Sequence, residues 1–136
     1  MISYREAATQ ELAKAEANER EAAYAIAGGF SNMAANRLYY AVFHYIKYVL
    51  LSADIKAKSH KGAQAKFREL YLRPGTFPQS DNDLIAELWS DRQDADYAYF
   101  IDIKVDELRK IAPDVTAFGE RCRAVVDNAA EGKTTS

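Results

Sequence analysis

Four polar residues share one stripe of an otherwise apolar helix-forming run: Arg37, Tyr40, His44 and Lys47, spaced by three, four and three. The run is Asn36-Arg37-Leu38-Tyr39-Tyr40-Ala41-Val42-Phe43-His44, and it continues through Tyr45-Ile46-Lys47-Tyr48-Val49-Leu50-Leu51. A core helix needs none of these polar groups, so a site or a partner must account for them. Imidazole exchanges a proton near neutral pH, which makes His44 a candidate acid–base group; the alternative is a structural histidine with satisfied hydrogen bonds. A second polar set, Arg92 and Asp96, is spaced by four, with Tyr99 three residues further on. If both sets face one groove, Arg37, Tyr40, His44, Arg92 and Asp96 form a polar cluster. A buried Arg requires a partner, so an Arg37–Asp96 or Arg92–Asp96 pair is expected. Such a pair can serve a ligand or simply fix helix register. His60 and Lys61 open a further helix, where side-chain donors and backbone N–H groups can hold a phosphate; His60 as a plain helix cap is the alternative. Tyrosines at helical spacing equally suit a core or a dimer interface.

These residues must be positioned by helices. Residues 4 to 27 are rich in Ala and Glu, with Leu12, Ala15, Ala22 and Ile26 near helical spacing. Gly28-Gly29 ends this helix, and Ser31 or Asn32 caps the next. The second helix, about 32 to 51, is apolar on nearly every face and is therefore a central one. His60-Lys61-Gly62 leads into a short helix, and Arg73-Pro74-Gly75-Thr76-Phe77-Pro78 breaks the chain. Ser80-Asp81-Asn82-Asp83 caps a helix carrying Leu84, Ile85, Leu88 and Trp89, with residues 94 to 100 either continuing it or unwinding around Asp96-Tyr97. The last helix begins at Asp102 or Asp106, and Pro113 should kink or split it near Ala112. The expectation is all-α: one domain over residues 4–128, an up-and-down bundle of four to five helices, followed by a frayed polar tail, 129–136.

Bulk properties narrow the classes. A chain of 136 residues with 49% apolar and 28% charged residues suits one soluble globular domain. A net charge of −2 argues against nucleic-acid binding through a bulk positive field, while local patches remain open. Cys122 is the single cysteine, which fits a reducing compartment and a small buried apolar residue. The N-terminus lacks a signal-peptide layout, and no apolar run approaches the roughly 20 residues that cross a bilayer. A cytoplasmic protein without membrane contact is expected. Two histidines without CxxC, HExxH or Glu-x-x-His give no metal site, and no cofactor is expected. Nor does the chain carry a GxGxxG or Walker sequence.

Three blocks together resemble the HEPN domain family. Asn36 to His44 resembles its "NRAYYAxFH" block, His60-Lys61-Gly62 with Phe67 its "HKG...F" segment, and Arg92-Gln93-Asp94-Ala95-Asp96-Tyr97 its "RxxADY" block. Order and spacing agree over about residues 4 to 128. The resemblance implies a helical bundle, a homodimer, and a place beside a minimal nucleotidyltransferase in a toxin–antitoxin pair. In family toxins that are metal-independent ribonucleases, an Arg, a polar residue and a His meet across a dimer. The His then activates the ribose 2′-OH or protonates the leaving 5′-oxygen, and the Arg stabilises the phosphorane. Here Arg92-Gln93 begins like that motif, but Asp96 and Tyr97 stand where the His would be.

The leading functional reading is a nucleotide- or RNA-binding interaction module of such a pair, with a nucleotidyltransferase partner. Asn36, Tyr40, Lys47, His60, Lys61, Asp96 and Tyr97 are its ligand-binding candidates. The alternative is a ribonuclease with His44, Arg37 and Arg92 as catalytic residues. A purely structural dimerisation domain is the third reading.

Overall fold

The computed structural model describes the backbone of residues 2–97 and 104–135 and the side chains of 2–89 and 104–131. Among the described residues five α-helices follow one another: α1 (Tyr4–Ala27), α2 (Ser31–Ser52), α3 (His60–Phe67), α4 (Gln79–Tyr97) and α5 (Val105–Thr135). There is no strand among the described residues. The all-α bundle expected from periodicity is what forms, and α3 runs on through a π-helical turn, Arg68–Leu72.

Helix α2 is the central element and packs against α1, α3, α4 and α5. Leu38, Val42, Tyr45, Ile46 and Val49 are all buried, as its nearly uninterrupted apolar surface requires. Its widest interface is the hairpin with α1. Small residues line that seam: Ala8, Ala15, Ala22 and Ala25 on α1, Ala34 and Ala41 on α2. Small side chains let two helix backbones approach closely. The hairpin turn is tight because Gly29 takes φ 76° and the Phe30 N–H bonds back to the Ala25 carbonyl at 2.8 Å. A second apolar layer joins α3, α5 and the connection before α4 through Phe67, Phe118 and Phe77, whose ring centroids lie 5.1–5.9 Å apart.

Several local expectations need correcting. Neither Ser31 nor Asn32 caps α2; Phe30 holds that position without a side-chain bond, because the Gly29 turn already fixes the chain's entry. Ser59, not His60, caps α3, accepting from the Gly62 N–H at 2.9 Å. Helix α4 starts at Gln79, and Asp81 inside its first turn is fully buried against Arg121. Pro113 does not split α5, which continues from Val105 to Thr135. Pro113 lies on the exposed face, where the carbonyl it leaves unbonded meets water, while Leu108, Ile111, Val115 and Phe118 anchor the other face. Among the described residues, no helix is long and apolar enough to cross a membrane.

Candidate functional site

The polar stripe of α2 meets acidic residues of α1. Glu11 occupies a position in the buried stripe of α1, between Ala8 and Ala15, and is 6% exposed. His44 Nδ1 lies 2.5 Å from its Oε2, Lys47 Nζ 3.4 Å from its Oε1, and Lys14 Nζ 3.6 Å from the same oxygen. Burial pushes the Glu11 carboxyl up, but the His44 hydrogen bond and the charges of His44, Lys47 and Lys14 outweigh it and hold it below the usual range. An ionised carboxylate only accepts, so the imidazole donates to it from Nδ1.

Further along the stripe, Arg37 pairs with Glu21 at 3.0 Å and donates to the Asn36 side-chain oxygen at 2.6 Å. The expected Arg37–Asp96 or Arg92–Asp96 pair falls on an Asp96 side chain outside the described residues; among the described residues Arg37 has its counter-charge in Glu21 of α1. Arg37 and Glu21 are both partly open to water, 35% and 55%, so this pair exchanges readily with solvent and with competing anions.

Tyr40 belongs to a different group. His60, at the start of α3, stacks on the Phe43 ring with centroids 4.0 Å apart and planes 27° apart. The Tyr40 ring stands edge-on to His60 at 5.9 Å and lies 6.2 Å from the His44 ring. Tyr39 brings in α4 through the Trp89 ring at 5.7 Å. Its hydroxyl lies 3.4 Å from His60 Nδ1 and accepts from Gln64 Nε2 at 3.2 Å. Phe43 and Tyr39 are buried, whereas Tyr40, His44 and His60 keep partial exposure, and Lys61 is exposed. Lys47 links the two groups, with its ammonium 5.7 Å from the Phe43 centroid.

The side chains of Arg92, Asp96 and Tyr97 lie outside the described residues, and Tyr99 lies outside them altogether. The α4 backbone places Arg92 three residues beyond Trp89, the residue that touches Tyr39. Among the described residues, no group of three His, Cys, Asp or Glu side chains could hold a metal ion. Cys122 is buried, and burial raises its thiol well above its ordinary value, as suits a packing residue.

A third network escaped sequence reasoning. Tyr45 is fully buried, donates to Glu19, and accepts from Arg123 at 3.4 Å; Thr116 donates to the other Glu19 oxygen at 2.6 Å. Burial first, and the adjacent Glu19 second, push the Tyr45 hydroxyl far above its ordinary value. The network ties α1, α2 and α5 together. Nothing in the sequence sets Glu19 apart from the solvent-facing charges of α1.

Residues 8–125 match the family model described as HEPN domain. The chain is also 32% identical over 78 residues to the "Putative toxin MJ0142" of Methanocaldococcus jannaschii. That match covers 57% of this chain and 53% of the relative, so the chain spans about half that protein's length.

Proposed function

Because the chain belongs to the HEPN domain family, we propose that it is a nucleotide- or RNA-binding module of a toxin–antitoxin-like pair, acting as a homodimer beside a nucleotidyltransferase protein. The carrying observation is the cluster around Phe43, where His60, Tyr40 and His44 present partly exposed rings beside Lys47 and Lys61. Ring faces accept bases by stacking, and ammonium groups accept the backbone phosphates. The first N–H groups of α3 add an anion-attracting end beside Lys61. The three sequence blocks of the resemblance lie on α2, α3 and α4, and side chains of the three helices touch here through Tyr39, His60 and Trp89. A toxin-like role agrees with the name of the M. jannaschii relative; the nucleotidyltransferase partner is carried over from the family resemblance.

Fluorescence anisotropy with a short labelled single-stranded RNA and with nucleotides tests this reading. Wild-type binding should weaken at least about tenfold in Arg92→Ala and in His60→Ala, the loss expected for one stacked or charge-paired group. Absent binding in wild type and variants alike, with circular dichroism intact, sinks it.

One observation favours a second reading, a metal-independent ribonuclease toxin. The 2.5 Å contact between Glu11 and His44 orients the imidazole as a carboxylate orients an acid–base histidine. His44 Nε2 would take the proton of the ribose 2′-OH, or give one to the leaving 5′-oxygen, while Arg37 or Arg92 stabilises the phosphorane. Expression should then arrest growth and cleave RNA in the presence of a chelator, and His44→Ala should do neither. Cleavage that survives His44→Ala removes this histidine from the mechanism.

A further inference from the structure

A groove of about 480 Å³ runs between the first turns of α1 and the last turn of α2. That volume lies within the range of small-molecule sites, roughly 300–1,000 Å³. We propose that it binds a small amphipathic anion, a carboxylate carried on an unbranched apolar body. Leu50, Leu51 and Ile55 form its apolar wall, and Ile2 and Tyr4 flank it. Ile2 and Tyr4 are 50% and 44% exposed, so an apolar ligand would remove from water surface that the chain leaves uncovered.

The polar lining selects the head group. Glu11, Lys47 and Lys56 all line the groove. Glu11 is already shared among His44, Lys47 and Lys14, so the local charge is positive even with His44 neutral. Lys56 makes no ion pair with any described residue. A ligand carboxylate supplies the anion that Lys56 lacks, beside Lys47, which has only a share of Glu11; a cationic head would meet two ammonium groups and be repelled. The two readings share Lys47, but Lys56 and the apolar walls serve this groove alone, so either reading can fail without the other.

Isothermal titration of the full chain with decanoate, kept below the concentration at which it self-associates, tests the site. Saturable one-to-one binding is expected, with octanoate about tenfold weaker for its two missing methylenes. Decyltrimethylammonium should bind at least tenfold more weakly than decanoate. Lys56→Glu, on the exposed connection, should weaken decanoate binding about fivefold or more. Ala7→Phe, which fills the groove from α1, should abolish it while circular dichroism and melting stay normal. Unsaturable binding, equal affinity for the cationic amphiphile, or association only with anionic vesicles would overturn the proposal. If Ala7→Phe does not fold, Lys56→Glu decides alone, and unchanged decanoate affinity in that variant overturns it.

Discussion

The imidazole of His44 and the carboxylate of Glu11 meet at 2.5 Å across the α1–α2 seam, in a stripe of α1 otherwise made of alanines and Ile26. Glu11 is held below the ordinary carboxylate value of 4.5, despite the upward pull of burial, by its bond to His44 and by the charges of His44, Lys47 and Lys14. As pH falls below 4.5 the unfolded chain therefore takes up this proton before the folded one does. The stabilisation it provides is complete above that pH and disappears as pH drops through the folded value. Glu11→Gln should cost about 2 kcal/mol at neutral pH, because it leaves His44 and Lys47 beside an uncharged amide. It should also flatten the acid decline of stability. Urea unfolding at neutral pH and at about pH 3.5 reads both effects; parallel declines in variant and wild type would acquit Glu11.

Gly119 has no room for a side chain. A Cβ there would stand 2.4 Å from Tyr45 Cζ and 2.7 Å from its hydroxyl oxygen, on a ring that is itself fully buried. On an open helix, Gly→Ala gains about 1 kcal/mol of propensity. Here the sign should reverse, and Gly119→Ala should lose about 2 kcal/mol by overpacking. Tyr45→Phe keeps the ring but strips Glu19 of one donor, at a cost of about 1 kcal/mol. Thermal melting of both variants checks the pair, and a Gly119→Ala protein that melts higher than wild type would contradict the packing.

How much of this was legible in the sequence depends on what each residue touches. The centrality of α2 could be read because apolarity on every face has one interpretation. The hairpin turn was readable from Gly28-Gly29 for a similar reason: Gly29 takes a backbone conformation that glycine adopts most readily. Glu11, Glu19 and Asp81 were not legible. A lone acid in a helix normally faces water, and only a partner brought by another helix makes the burial of Glu11 and Asp81 tolerable, His44 and Arg121 respectively, while half-buried Glu19 accepts from Tyr45. The apolar stripe of α1 holds at Ala15, Ala22 and Ile26, whereas Leu12 is only half-buried and its neighbour Glu11 takes the buried position. Ala8 three residues before and Ala15 four after carried the signal. On α2, Arg37, His44 and Lys47 of the polar stripe meet α1 while Tyr40 packs with His60, and the α1 partners Glu11 and Glu21 were not legible.

Pro113 leaves α5 continuous, so its missing N–H and the ring's steric demand are absorbed within the helix. It lies on the exposed face. Pro113→Ala restores one backbone hydrogen bond while giving the unfolded chain more freedom, which offsets part of the gain. A net increase of about 2 kcal/mol in stability is expected from urea unfolding, with no change in the bundle. A loss would mean that the proline's ring or its local bend has a packing role.

Asp81 and Arg121 form a two-pronged ion pair between α4 and α5, with Arg121 Nε donating to Asp81 at 2.7 Å. The two members are unequally placed, because the Asp81 side chain is 1% exposed and that of Arg121 39%. Removing either one therefore has a different consequence. Arg121→Met strands a carboxylate with no access to water and should cost about 3 kcal/mol. Asp81→Leu leaves a guanidinium that can turn outward to solvent, and should cost about 1 kcal/mol. The double variant has no stranded charge, so its loss should fall near that of Asp81→Leu alone rather than near the sum. A double-mutant cycle in urea measures this directly. Additive losses would show that the pair is not coupled, and that something other than Arg121 satisfies Asp81 in the core.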